Sequence, residues 1–306
     1  KSSLQQPYLS IVATSRNDDY GGGMLNRFQM FVRGLDQQSR RHHLNSELVL
    51  VDWNPPADKP PLAEVTPSLS SNSLLVIRHV TVPHEVHQRW QSWGNRPLFE
   101  YLAKNVGIRR AQGQFILCTN VDLLFSNELC AFLAQQTCDP TKMYRANRCD
   151  VPNAIPENTD IEGQLVYCKN NILRRFGFLP ERSLIASVRR QLKHLIKKIL
   201  NHASAPTSQI DTNACGDFTV LSQESWEKIR GYPEIKSHSY LDGLAVHAAA
   251  AIGLEQIVLP PDHCSFHIDH RRQWDSIYVI EKIKLMQERP FLDYATYLEA
   301  VRWMWD

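Results

Sequence analysis

The chain has 306 residues, 43% hydrophobic and 22% charged, which is enough to bury a full core and fits a single large α/β domain. A formal net charge of +2 and a pI near 8.2 argue against a nucleic-acid binder, which concentrates basic charge on one face. Seven scattered cysteines with no CxxC pair argue against a zinc ribbon or a disulfide framework, while leaving one or two bridges open.

No run approaches the roughly 18 apolar residues of a membrane span, and the opening KSSLQQPYLS lacks the charged and apolar regions of a signal peptide. With no initiating Met, the compartment stays open: cytoplasmic, or lumenal if an N-terminal anchor has been removed. Leu9 to Thr14 (LSIVAT) reads as a buried parallel strand, followed by the loop SRNDDYGGG. Met24, Phe28, Phe31, Val32 and Leu35 recur at helical spacing and predict a crossover helix over 24–40. ELVLVD at 47–52 is a second strand closed by the turn WNPP. The Pro- and Ser-rich stretch 55–73 is a surface loop, because another strand, LLVIRHV, follows directly. A helix over 98–111 and a strand over 115–119 continue the alternation, which predicts a mostly parallel sheet with helices on both faces.

Beyond residue 150, QLVYCK reads as a strand and 182–200 as a cationic amphipathic helix. Its stripe of Leu184, Ile185, Val188, Leu192, Leu195, Ile196 and Ile199 faces the body, or an anionic membrane surface. FTVLS is a further strand, with Ser222 capping the next helix and a tryptophan on that helix's inner face.

Ligands in open α/β sheets bind beyond the carboxyl ends of the strands, which singles out Asp122 and Asp52. Asn120 and Asp122 bear hard oxygen donors of the kind Mg²⁺ or Mn²⁺ takes, and such an ion would bridge diphosphate oxygens. A carboxylate at Asp52 would accept from a ribose hydroxyl or a base edge, or cap the turn that follows. Arg16, Asp18 and Asp19 share a loop with three glycines that lacks both GxxxxGK[ST] and GxGxxG. Asp217, beside Gly216, could approach a substrate hydroxyl; Asp242, before an apolar helix, is an N-cap or a general base. In HCSFHIDH, strand alternation puts His263, Ser265, His267 and Asp269 on one face and Cys264, Phe266, Ile268 and His270 on the other. One of these histidines would join Asp122 on an ion.

Together SIVATSRND, ELVLVDWNPP, KNVGIRRAQGQFILCTNVD, ACGDFTVLSQESWEKIRGYPE, SYLDGLAVHAAAAIG and CSFHIDH resemble the GT-A glycosyltransferases, family-2-like members in particular. The resemblance implies a GT-A (Rossmann-like) α/β fold, a mostly parallel sheet flanked by helices, with a helical insertion and C-terminal helices. It implies one catalytic domain over 1–306, with a nucleotide-binding half, 1–122, and an acceptor-binding half, 123–306, that includes 182–200. The activity implied is transfer of a sugar from a nucleotide-sugar donor, UDP-linked by preference, to a saccharide or other hydroxyl acceptor, dependent on Mn²⁺ or Mg²⁺. Thr14, Arg16, Asp18, Asp52, Asn105, Asn120 and Asp122 map to the donor, and Asn120-Val121-Asp122 to the DXD motif, whose first acid is Asn here. His267 matches the late metal-binding histidine beside Asp122, Asp242 the catalytic acid, and Asp217 is the competing base. The other readings are a sugar-phosphate nucleotidyltransferase, whose characteristic lysine SRNDDYGGG does not supply, and a degenerate nucleotide-sugar-binding module.

Overall fold

The computed structural model describes residues 7–94, 96–176, 210–236 and 240–270. In chain order these form β1 (Leu9–Ser15), α1 (Met24–His42), β2 (Ser46–Trp53), α2 (Leu62–Val65), β3 (Leu75–Val82), α3 (His84–Gln88), α4 (Glu100–Ile108), β4 (Phe115–Cys118) and β5 (Leu123–Phe125). There follow α5 (Asn127–Ala134), β6 (Lys142–Arg145), β7 (Asn147–Val151), α6 (Ile161–Asn170), β8 (Arg174–Phe176), β9 (Thr219–Ser222), α7 (Gln223–Lys228), α8 (Leu241–Ala251), β10 (Glu255–Val258) and β11 (Cys264–Ile268). The amphipathic stretch 182–200 and the expected C-terminal helices lie outside the described residues.

Seven strands form a mixed, mostly parallel sheet in the order β10-β6-β9-β4-β1-β2-β3, with β9 antiparallel to both of its neighbours. Every residue of β1, β2 and β4 is buried, because helices cover both faces of the central strands. One face of the sheet carries Ile11, Leu48, Leu50 and Phe115 packed with Phe28, Phe31 and Leu35 of α1. The other carries Val12, Val49 and Ile116 packed with Ile108 at the end of α4, Trp226 of α7 and Leu244 of α8. Among the described residues β3 pairs only with β2, and it is correspondingly more exposed, Val76 to 56%.

A second sheet, β5-β11-β7-β8, grows out of the first at two crossings. The segment Asn120-Val121-Asp122 carries the chain from β4 into β5, and β6 passes into β7 across Ala146. Both crossings therefore lie where β4 and β6 leave the large sheet, and β11 docks between them: His267 registers with Leu123 of β5 on one side and Asp150 of β7 on the other. This strand-by-strand placement positions the site described below.

One expectation of secondary structure is corrected. QLVYCK is not a strand but the body of α6: the Asp160 side chain accepts from Gly163 N, and Ile161, Leu165 and Cys168 bury one helical face against the second sheet. All seven cysteines are free. Ser222 does cap α7, accepting from Ser225 N at 3.1 Å, and Trp226 is fully buried behind it. Among the described residues no helix is long and apolar enough to cross a membrane.

Candidate metal centre and adjoining polar network

At the crossing from β4 to β5, Asp122 meets two histidines from the end of β11. His267 Nε2 lies 3.5 Å and His270 Nε2 3.1 Å from Asp122 Oδ2, and one ligand atom from each of the three residues lies within 4.8 Å of the others. Asp122 Oδ1 is out of contact with solvent and has no hydrogen-bond partner. A buried carboxylate oxygen left without a partner is costly, and a cation or a bound water beside it would satisfy it. Two imidazole nitrogens and a carboxylate suit a first-row transition ion, and the three residues therefore fit a divalent metal. Burial pushes the Asp122 carboxyl up, but His267 and His270 outweigh it and hold it well below the usual range. Burial likewise pulls the His267 imidazolium down, but Asp122 and Asp150 more than offset this and bring it to about 9.

His270 lies on the same side as His267, against Asp122, contrary to the strand alternation that set it opposite. Strand β11 ends at Ile268, so the two-residue periodicity stops there and the chain turns His270 back toward Asp122. The edge of the Tyr20 ring packs on His270 with centroids 5.3 Å apart, bringing the loop after β1 to the same place. Buried Arg27 of α1 ties that loop down by donating to Tyr20 O at 2.6 Å and to Gly22 O.

A chain of polar contacts leads away from the centre. Arg148 donates from Nε to Asp150 Oδ1 at 2.6 Å and from Nη1 to Asp217 Oδ2 at 2.9 Å, while its Nη2 lies 3.0 Å from His267 Nδ1. Asp150 Oδ1 is 3.3 Å from the same Nδ1. Asp217 Oδ1 accepts from Asn120 Nδ2 at 2.7 Å, and Asn120 Oδ1 accepts from Lys104 Nζ at 2.8 Å. Lys104 is fully buried and also donates to Glu100 Oε1 at 2.7 Å and Gly216 O at 3.0 Å. Burial lowers the Lys104 ammonium, but Glu100 overcomes this and raises it. Asn120 thus stands between a cation and a carboxylate, a position that an amide serves with one acceptor and one donor.

Thr14, Arg16, Asp18 and Asp52 gather at the carboxyl ends of β1 and β2, where Ser15 registers with Asp52. Arg16 pairs with Asp18 at 3.3 Å and donates to Asn54 O at 3.0 Å, whereas Thr14 Oγ1 donates back to Val51 O at 3.2 Å. Asp52 Oδ2 accepts from Leu62 N at 2.8 Å, and its Oδ1 is buried without a partner; burial raises this carboxyl. Asn105 is directed elsewhere and brackets the backbone of Tyr232, accepting from its N at 2.8 Å and donating to its O at 2.8 Å. Gly231 next to it has φ +78°, and a Cβ there would stand 2.3 Å from Asn105 Oδ1. Asp242, in the first turn of α8, accepts from Gly216 N at 2.8 Å and is part-exposed; Tyr240, not Asp242, is the N-cap. Asp217 is 4% exposed.

Sequence reasoning missed Lys104, Arg148, Asp150 and the role of His270. NRCDV at 147–151 does alternate, with Arg148 and Asp150 on one face and Asn147, Cys149 and Val151 on the other, so the polar face of β7 was there to be found.

No protein-family model matches the chain, and no curated protein matches it in sequence. Among solved structures it is similar to residues 1–349 of S. aureus TarS, with a TM-score of 0.47, 13% identity, and coverage of 85% of this chain and 60% of that one. It is similar also to the same TarS fragment in complex with UDP-GlcNAc, with a TM-score of 0.48, 12% identity and coverage of 94% and 69%. Against S. aureus TarS the TM-score is 0.42, with 13% identity and coverage of 94% and 41%. A likeness this low says nothing about the activity of this chain.

Proposed function

We propose that the protein is a divalent-metal-dependent glycosyltransferase that moves a sugar from a nucleotide-sugar donor, UDP-linked by preference, to an acceptor hydroxyl. The observation that carries this reading is the cluster of Asp122, His267 and His270 around an orphaned carboxylate oxygen, at the carboxyl end of the sheet that also holds Asp52. Two imidazoles favour Mn²⁺ over Mg²⁺, which prefers an all-oxygen shell. When bound, the ion supplies positive charge to offset the departing diphosphate. The unpaired Oδ1 of Asp52 is suited to a ribose hydroxyl or a base N–H, with Arg16 and Asp18 beside it.

Of the two candidate bases we favour Asp242. Both oxygens of Asp217 already accept hydrogen bonds, from Asn120 and Arg148, which makes it a scaffold for the loop 213–218, whereas Asp242 is part-exposed. A carboxylate at Asp242 would take the proton of the acceptor hydroxyl as it attacks the anomeric carbon. The engagement of Asn120 with Lys104 and Asp217 also supports reading it as fitted to its position rather than as the mark of a degenerate site.

A panel of nucleotide-sugars with Mn²⁺ or Mg²⁺, assayed for nucleoside diphosphate release, tests the proposal. It expects a UDP-sugar to turn over with Mn²⁺ and Asp122→Ala to abolish turnover. Release of inorganic pyrophosphate from a sugar phosphate and a nucleoside triphosphate would point to a nucleotidyltransferase. Tight nucleotide binding with no turnover of any donor would point to a binding module.

We also read 182–200 as a peripheral contact with anionic lipid. Residues 163–210 hold nine Lys and Arg against one acidic residue, Glu181, in a chain of net charge +2.

A further inference from the structure

Resting on the metal centre proposed above, one consequence concerns His267, whose Nδ1 has two suitors. Asp150 Oδ1 at 3.3 Å can only accept from it, and Arg148 Nη2 at 3.0 Å can only donate to it. A neutral imidazole binds an ion through the nitrogen that carries no proton, so only the tautomer with its proton on Nδ1 frees Nε2, the nitrogen that faces Asp122. Asp150 therefore favours the ion-binding tautomer, and Arg148 favours the one that cannot bind.

We propose that Asp150 is the positioning residue of the metal centre: it competes with Arg148 for Nδ1 of His267, accepts the Nδ1 proton in a hydrogen bond when an ion binds, and so leaves Nε2 bare toward the ion. The register of β7 against β11, with Asp150 directly beside His267, builds this contact into the sheet. Arg148 commits Nε to Asp150 Oδ1 and Nη1 to Asp217 Oδ2, so only its Nη2, 3.0 Å from Nδ1, competes with Asp150 for His267. The chain of contacts from Lys104 through Asn120 and Asp217 thereby ends by setting which nitrogen of a metal ligand is bare. Carboxylates that orient a ligating histidine typically alter metal affinity by about 10- to 100-fold when removed.

The test is the Mn²⁺ dissociation constant, read from the electron paramagnetic resonance signal of free Mn²⁺, alongside the melting curve of the metal-free protein. Asp150→Ala is expected to weaken Mn²⁺ binding by about 10- to 100-fold. Asp150→Asn, which keeps an acceptor oxygen but loses the charge, is the milder variant if the alanine protein does not fold, and it is expected to weaken binding less. The distinguishing readout is the double variant Asp150→Ala with Arg148→Met: removing the competing donor should restore part of the lost affinity, whereas a purely structural role for Asp150 would make the second change worse or neutral. Unchanged Mn²⁺ affinity in both Asp150 variants, or no recovery in the double variant, overturns the proposal. Wild-type protein that binds no Mn²⁺ overturns the metal centre itself, and that result is distinct from either of these.

Discussion

Restoring the acidic residue that a DXD motif would carry, by Asn120→Asp, should harm this protein. Asn120 Nδ2 donates to Asp217 Oδ1 at 2.7 Å, and its Oδ1 receives Lys104 Nζ at 2.8 Å. A carboxylate in its place strengthens the contact with Lys104 but sets two carboxylate oxygens against each other. At an effective dielectric of about 20, a unit-charge pair at either distance is worth about 6 kcal/mol, so the new attraction and the new repulsion nearly cancel. What remains is the lost charge-assisted hydrogen bond to Asp217, about 1.5–3 kcal/mol. The expected result is a melting temperature lower by several degrees in the metal-free protein, with no gain in Mn²⁺ affinity. Equal or greater stability together with tighter Mn²⁺ binding would overturn this expectation, because it would show position 120 facing the ion rather than the Lys104–Asp217 bridge.

Three further outcomes are expected. Asp242→Asn should leave Mn²⁺ binding and donor affinity near wild type while lowering the transfer rate by roughly 100-fold or more, the ordinary contribution of a general base, and steady-state kinetics with the reactive donor will check this. Gly231→Ala places a side chain at φ +78° and 2.3 Å from Asn105 Oδ1, so it should destabilise by at least about 1–2 kcal/mol in denaturant titration from the left-handed backbone alone. The pH dependence follows from Asp150: burial pushes its carboxyl up, but hydrogen bonds from His267 and Arg148 overcome this and hold it at about 2. A folded-state value below the unfolded one of about 3.9 means stability that is fully present above about pH 4 and is lost as pH falls toward 2. Metal-free protein should therefore lose on the order of 2 kcal/mol over that window, and Asp150→Asn should flatten the slope.

Much of the architecture was legible because central strands of a parallel sheet are apolar throughout: LSIVAT, ELVLVD and FILC announce themselves, and the 3.6-residue spacing of Phe28, Phe31, Val32 and Leu35 marks α1. QLVYCK misled because six residues of mixed polarity satisfy either period, and the deciding signal, the Asp160 cap, lies outside the window. At the site, Asp122 was legible from its position just past a strand end, and His267 through the GT-A resemblance. His270 was not, since a two-residue period extended past Ile268 sends it to the wrong face. Lys104, Arg148 and Asp150 were hidden for a different reason. Each lies within a helix or strand; the alternation of NRCDV displays a polar face on β7, but the contacts that give these residues a role reach 16 to 119 positions away and are not displayed by any local pattern.

Whether Asp122, His267 and His270 hold one divalent ion is open to direct measurement by pulsed electron paramagnetic resonance of the protein loaded with one equivalent of Mn²⁺, through the coupling of the metal to imidazole nitrogen. Coupling to two histidine nitrogens is expected, reduced to one in His270→Ala and in His267→Ala alike. Bound Mn²⁺ that shows no nitrogen coupling, or whose spectrum neither substitution changes, would rule the shared site out.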